Sequence, residues 1–404
     1  MALCHEVGRV RRGGAPASLA SVRRLLLLVS AVVLVDSMLY SALVPLLPRF
    51  ADEYGLSKAG AGLLVAAYAA GALAGGLPGG IAASRVGPRR TVLAGLALMT
   101  LAGFGFAFAG DVWSIGLARL AQGVGSSLTW AGALTWLVAA APREGRGQLL
   151  GTAMGAAIFG ALFGPVLGAV ASHAGRRPVF AAVAVLGVLL AVWAARTPPA
   201  DADPQPLRAY RRVLAGPEVR LGMWLMLLPA LLFGLLAVLA PLALDRGGWG
   251  SAAIGGAFLA GAAFEAALSP VVGRVSDRRG RLFPVRLALG ASAIVCAGLA
   301  LARSAALVAL LVVAAAASFG ALWAPALALL ADGAERIGLA QGLVFGLMSA
   351  SWALGNSLAP SLGGAVARVT GDAVPYAAGG VLCLVTWAVL SPRAFSRLRG
   401  RPAC

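Results

Sequence analysis

The chain has 404 residues, of which 60% are apolar and 12% charged, with a mean hydropathy of +0.88. Soluble domains hold about 45–50% and about 25%, so a water-soluble fold of this length could not bury the apolar surface. Basic residues number 33 against 15 acids, a net charge of +18, while two histidines (His5, His173) and four cysteines without metal or disulfide spacing leave no basis for a metal centre, His-based catalysis or a disulfide framework.

Taken in chain order, the sequence resolves into twelve candidate membrane spans, since about 20 apolar residues cross a bilayer as helix. The tail 1–22 is polar and basic. The apolar stretch behind it, 25–48, is longer than a signal-peptide core and reads as a retained first helix. Span 1 holds Asp36 near its middle, with Tyr40 on the same face. Windows without any charge at 59–84 and 91–110 give spans 2 and 3, joined by a short basic loop from Gly80 to Arg90. Span 4 (120–142) follows directly on Arg119. Arg119, Gln122, Ser126 and Trp130 share one face by their i, i+3, i+7, i+11 spacing. Span 5 (147–175) carries Gly151, Gly160, Gly164, Pro165 and Gly168, and span 6 is 178–195. The Pro-rich, charged stretch 197–219 then reads as a linker between halves.

Span 7 (221–244) contains Phe233, and span 8 (247–273) contains Glu265 near its middle. A second basic loop, Gly273 to Arg281, leads to span 9 (282–302). Span 10 (304–331) carries Trp323. Span 11 (337–367) carries Trp352, Gly355, Asn356, Pro360 and Gly363. Span 12 is 373–392, and a basic tail, 393–404, closes the chain. Continuous apolar runs without period-2 alternation make these helices, not barrel strands. The expected domains are a six-helix bundle over 23–196 and a second over 220–392.

With the N-terminus inside, 25 basic residues fall on the cytoplasmic side and 7 outside, leaving Arg119 within a span. This asymmetry predicts both termini in the cytoplasm of a cell-membrane protein. It also accounts for the net charge without a nucleic-acid partner.

The halves repeat. Gly80 maps onto Gly273 at an offset of 193 residues, and Gly151 onto Gly346 at 195. Two motifs at nearly one offset imply two six-helix bundles related by an axis along the membrane normal.

These motifs resemble those of the major facilitator superfamily over essentially the whole length, most closely its twelve-span drug:proton antiporters. Gly80-Ile-Ala-Ala-Ser-Arg85-Val-Gly87-Pro-Arg89 and Gly273-Arg-Val-Ser-Asp277-Arg278-Arg-Gly280-Arg281 are similar to its loop signature. Arg119-Leu-Ala-Gln122-Gly123-Val-Gly125 is similar to its span 4 signature, and Gly151 to Gly168 to its span 5 antiporter signature, echoed by Gly355, Pro360 and Gly363. Asp36 to Pro48 resembles a span 1 signature of multidrug exporters. One departure stands out: Ser84 replaces the acid of the first loop, whereas Asp277 keeps it in the second. The resemblance implies that the two loops gate the cytoplasmic side and that spans 1, 4, 7 and 10 line a central cavity.

Two acids alone lie within the spans, and a charge at mid-bilayer costs at least about 2.5–3.5 kcal/mol. Burial favours the neutral carboxyl and a nearby arginine favours the ionised one, so a carboxyl held between them can exchange a proton. Asp36 is therefore the expected proton carrier, Arg119 its electrostatic tuner, and Glu265 a second carrier or a cation-recognising acid. A fixed Asp36–Arg119 ion pair is the competing expectation. Tyr40, Gln122, Trp130, Trp136, Phe233, Trp323, Trp352 and Asn356 are candidates for the substrate cavity. The function expected is export of small drug-like or amphiphilic molecules in exchange for protons by alternating access. No cofactor is expected, the partners are substrate, protons and the bilayer, and the protein should work as a monomer. The alternatives are a proton:solute symporter or facilitator importing a metabolite and, more remotely, a non-transporting receptor or membrane enzyme.

Overall fold

The computed structural model describes residues 19–140, 146–200, 216–336 and 341–390. Most of both tails and of the linker therefore lies outside the described residues. Among those described, every regular element is a helix. Span 1 is Leu19–Ser41, continued after a break by a 3-10 turn, Val44–Leu46, and the helix Leu47–Glu53. Spans 2 to 6 are Lys58–Arg85, Pro88–Phe108, Val112–Ala140, Arg146–Ala174 and Arg176–Arg196. Spans 7 to 9 are Pro217–Arg246, Ser251–Arg279 and Leu282–Leu301. Span 10 is broken into Ala305–Gly320 and Trp323–Arg336, and spans 11 and 12 are Gln341–Thr370 and Ala373–Val389.

Local chemistry fixes the helix ends. The Ser57 and Ser304 oxygens accept from Gly60 N and Leu307 N at 3.3 Å each, pairing amides that a helix N-terminus leaves free. Pro88 and Pro217 occupy first-turn positions, where a missing N–H costs nothing. The break in span 1 is followed by Pro45, which cannot donate to the Ser41 carbonyl. The glycines with positive φ among the described residues are Gly55, Gly87, Gly175, Gly248, Gly280 and Gly371. They fall into three repeat pairs, 55/248, 87/280 and 175/371, so equivalent turns of the two halves share a left-handed backbone that a Cβ resists.

Among the described residues, nine helices are long and apolar enough to cross a membrane. Spans 4, 11 and 12 are not among them. Span 12 is short, and spans 4 and 11 carry the polar residues of the interior, including Arg119, Gln122, Ser126, Asn356 and Ser357. Leu101, Leu117, Ile294 and Leu301 are each more than two-thirds exposed. Such an apolar exterior suits lipid tails.

Glycines let the helices meet closely, as small residues do in lipid. In the first half, Gly71 lies against the Leu120 carbonyl and Gly123 against the Tyr68 carbonyl, seating span 2 on span 4. Gly160, Gly164 and Gly168 lie against Leu34, Met38 and Ala42, seating span 5 on span 1. In the second half, Gly355 lies against Ala230 and Leu227, seating span 11 on span 7.

The two bundles meet at the end opposite the arginine-rich loops, here termed the far end. Gly62 of span 2 abuts the Pro360 carbonyl, Gly364 abuts the Lys58 carbonyl, and a Cβ on Gly255 would sit 3.0 Å from the Pro165 carbonyl. Asp372 accepts from both Lys58 Nζ and Arg246 Nη2 at 2.5 Å, bridging the bundles. Toward the arginine-rich end, Gly151, Gly155 and Gly346 are exposed, with no neighbour within reach of a Cβ. The described contacts thus pinch the bundles together at the far end.

Candidate functional site

The site grows from the close contact of spans 1, 2 and 4. Because Gly71 and Gly123 bring the backbones of spans 2 and 4 together, the Tyr68 side chain is carried into the first bundle's centre, where it is 1% exposed. Asp36, 2% exposed, faces it from span 1. The Tyr68 hydroxyl donates to Asp36 Oδ1 at 2.8 Å. Ser126 Oγ and Trp130 Nε1, both from span 4, donate to Oδ2 at 2.9 and 2.6 Å. All three donors are neutral.

Hydrogen bonds to a charged group are worth about 1.5–3 kcal/mol each, so three total about 4.5–9 kcal/mol. The cost of an unpaired carboxylate at this depth starts at about 2.5–3.5 kcal/mol and rises with burial. The three donors and the burial thus act in opposite senses on the ionised form of Asp36.

Arg119 makes no ion pair with Asp36. Its Nη1 donates to the Leu39 carbonyl at 3.1 Å and to Gln122 Oε1 at 2.8 Å, and its Nη2 to the Tyr40 carbonyl at 3.2 Å. Those two carbonyls close the first segment of span 1, where a helix C-terminus carries partial negative charge. The guanidinium thus caps the broken end of span 1. Its Cζ lies 4.8 Å from the centre of the Tyr68 ring, a cation–π arrangement. Tyr68 consequently stands between cation and carboxylate, ring to one and hydroxyl to the other. The fixed ion pair anticipated as one possibility is absent among the described residues.

Tyr68 is the residue that reading the sequence missed. Its position in register with Gly71, Gly75 and Gly79 was the available signal, because a tyrosine on a small-residue face must enter another helix's territory.

The second bundle closes over this cluster through span 11. The Tyr40 hydroxyl donates to Asn356 Oδ1 at 2.8 Å, and Asn356 Nδ2 donates to the Trp352 carbonyl at 3.2 Å. Trp352 packs edge-on against Tyr40 and Tyr68, with ring centres 5.1 and 6.5 Å apart. Tyr40, Gln122, Trp130, Trp352 and Asn356, all cavity candidates, therefore converge with Asp36 and Arg119. Phe233 and Trp323 do not join them. They stack on each other at 6.2 Å beside Phe319 within the second bundle. Trp136 is 1% exposed and donates to the Pro198 carbonyl, so it is packing.

Glu265 stands apart from this cluster. Its side chain lies over Gly320, where span 10 breaks, and it has no hydrogen bond or ion pair among the described residues.

The loop motifs act within their own bundles. Arg89 donates to the Ala195 carbonyl at the end of span 6, and Gly87 and Gly280 take the positive φ of a tight turn. Arg85 and Arg278 are exposed, and Ser84 turns back onto the Ile81 carbonyl of its own helix. Arg281 pairs with Asp332 at 3.6 Å, and Arg336 with Glu218, both inside the second bundle. The Asp277 side chain lies outside the described residues.

Gly151 apart, the glycines of the helix motif lie at close helix contacts in both halves. Gly160, Gly164 and Gly168 back span 1 behind Asp36, Gly355 and Gly363 back span 7, and Gly151 touches nothing. Pro165 and Pro360 instead present their carbonyls to the other bundle, at Gly255 and Gly62.

Comparison with known proteins agrees with this architecture. The profile of the Major Facilitator Superfamily matches residues 29–345. A chloramphenicol resistance protein of Streptomyces lividans is 30% identical over 325 residues, covering 78% of this chain and 74% of that protein. A bacterial homologue of the human lysosomal transporter Spinster, solved inward-facing and unoccupied, superposes with a TM-score of 0.77 at 16% identity, over 96% of this chain and all of that one. A D-xylose–proton symporter gives 0.74 at 18% identity, over 96% and 100% of the two chains.

Proposed function

Because the chain belongs to the major facilitator superfamily and is a membrane transporter, not an enzyme, we propose that it exports small drug-like organic molecules in exchange for protons. The observation that carries this reading is the setting of Asp36. A carboxyl buried among three neutral donors, with its nearest cation held off by a tyrosine ring, can give up and regain a proton without breaking an ion pair. The 30% identity to a chloramphenicol resistance protein supports outward transport of a compound of drug size.

In this reading the arginine-rich end is cytoplasmic and both termini lie inside, in the cell membrane. The far end, pinched by Lys58, Asp372 and the span 2–span 11 contact, is the outer gate, and it is shut. Asp36 with all three donors aimed at it is the ionised, substrate-accepting form. Substrate enters between the bundles from the cytoplasm. The bundles rock, the outer gate parts, and a proton taken by Asp36 from outside accompanies substrate release. Arg119 holds the broken end of span 1 and keeps positive charge near the carboxylate. Glu265, beside the span 10 break, serves as a second acid of the cavity. The gating loops, including the one that carries Asp277, close the cytoplasmic side in the other state.

The test is a drug-susceptibility panel, chloramphenicol included, with the gene expressed in an efflux-deficient host. The wild type should raise resistance to at least one compound and Asp36→Asn should not. In acidified inverted vesicles, addition of that compound should release protons from the lumen. Co-movement of proton and compound into the vesicle lumen would replace exchange by symport. Undiminished proton-driven efflux by Asp36→Asn would remove Asp36 as the carrier.

A further inference from the structure

We propose that Tyr40, Trp352 and Asn356 are the positioning residues through which the charge state of Asp36 controls how tightly the two bundles pack at the centre of the membrane. The inference rests on the reading of Asp36 as proton carrier and deepens it.

Among the described residues, one hydrogen bond and two ring contacts cross between the bundles beside the carboxylate. One is the Tyr40–Asn356 hydrogen bond at 2.8 Å. The others are the approaches of Trp352 to Tyr40 and Tyr68, at 5.1 and 6.5 Å between ring centres. On the first-bundle side, both tyrosines belong to the carboxylate's own surroundings. Tyr68 donates to Asp36. Tyr40 follows Asp36 by one helical turn, and its carbonyl is held by Arg119. Span 11 therefore touches both tyrosines that surround the carboxylate.

Hydrogen counting shows why a rearrangement is required. Tyr68, Ser126 and Trp130 bring one hydrogen each, and an ionised Asp36 can accept all three. A protonated carboxyl has a hydrogen of its own to place. Trp130 Nε1 cannot accept it, so the acceptor must be the Tyr68 or the Ser126 oxygen, which lie 2.8 Å apart. Either hydroxyl must then turn its hydrogen away from Asp36. Both belong to one chain of bonds, and Tyr68 is its rigid member, its ring set between the Arg119 guanidinium and Trp352. A shift of that ring is delivered directly to span 11.

Asn356 is held for this task by its bond to the Trp352 carbonyl, which fixes the amide so that its oxygen meets Tyr40. Trp352 and Asn356 have no titration of their own. The charged and titratable groups facing Asp36 are Tyr68 from span 2 and Arg119 from span 4, with Tyr40 on its own span. Span 5 meets span 1 at this level through Gly160, Gly164 and the Ala161 carbonyl, which accepts from Ser41 Oγ at 3.0 Å, and none of these titrates. Any pH dependence of the crossing contacts must therefore originate in the first-bundle cluster.

The experiment uses the full chain in lipid nanodiscs, with spin labels on Glu53→Cys and Val369→Cys, one at the far end of each bundle. Cys4 and Cys404 are replaced by Ser and Glu265 by Gln, which leaves Asp36 as the titrating acid within the spans. Pulsed dipolar distances between pH 5.5 and 9 give the fraction with separated far ends. In this parent, the fraction should change with pH, and Asp36→Asn should abolish the change. Tyr40→Phe, which removes one oxygen and keeps the ring, and Asn356→Leu should each reduce the pH-driven change in the open-to-closed ratio about fivefold, the equivalent of one hydrogen bond of about 1 kcal/mol. Combining them should add little, because they remove the same bond. If both variants shift the open fraction equally at every pH and keep the parent's full pH response, the contact is mere packing and the inference falls. A pH response that survives Asp36→Asn, or is absent from the parent, instead overturns Asp36 as the carrier.

Discussion

Replacing Tyr68 by phenylalanine tests the site at its least obvious member. The change deletes the hydroxyl that donates to Asp36 Oδ1 at 2.8 Å and leaves the ring that Arg119 covers at 4.8 Å. It removes a donor to the ionised carboxylate, whereas a protonated carboxyl keeps the Ser126 oxygen as an acceptor. A hydrogen bond to a charged group contributes about 1.5–3 kcal/mol, and one pH unit corresponds to about 1.4 kcal/mol. The pH at which proton-coupled efflux is half-maximal should therefore move upward by about 1–2 units, because a less stabilised carboxylate holds its proton to higher pH. The assay is compound-induced proton release from inverted vesicles, repeated across pH with protein amount matched by immunoblot. The maximal rate at the new optimum should fall far less than with Asp36→Asn. A profile that stays in place, or one that moves to lower pH, would refute the argument that Tyr68 stabilises the charged form.

Three further outcomes follow from the same geometry. Arg119→Lys keeps the charge but not the fork that reaches two carbonyls and Gln122, so transport should drop at least tenfold while the protein still inserts and purifies; near-normal transport would reduce Arg119 to a point charge. Gly123→Ala drives a methyl into the Tyr68 carbonyl and should cost about 1–3 kcal/mol, seen as a lowered Tm in detergent, whereas Gly151→Ala, which meets nothing, should be neutral; equal effects would refute the packing assignment. Asp372→Asn weakens a partly exposed ion cluster worth about 1 kcal/mol or less, so the far ends should part up to about fivefold more often at low salt, an effect that vanishes in molar salt.

The sequence was most legible where the bilayer imposes its own rule. Charge-free windows placed the spans, and the face carrying Arg119, Gln122, Ser126 and Trp130 followed from helical spacing alone. Periodicity says which residues share a face, however, and nothing about which helix that face meets. The partners of Asp36 therefore came from span 2 as well as span 4, and Tyr68 was overlooked in a run of alanines and glycines. The backbone partners of Arg119 were illegible for a related reason. A guanidinium seeks negative charge, and the break after Ser41 supplies it from backbone carbonyls that no side-chain pattern advertises. Phe233 and Trp323 were plausible cavity aromatics by composition, yet their rings are occupied by each other.

Lys58 is the sole lysine among 404 residues, and it sits at the seam between the bundles, bonded to Asp372. An amine must meet its acylating reagent in solution, and one bonded to Asp372 in the closed seam is largely shielded until the bundles part. Apart from the chain's own N-terminus, on the other side of the membrane in the orientation proposed, Lys58 is the protein's only amine target. The rate at which a membrane-impermeant acylating reagent adds one mass increment to the peptide around Lys58 would therefore act as a native stopwatch for opening of the outer gate, without a label or an engineered cysteine.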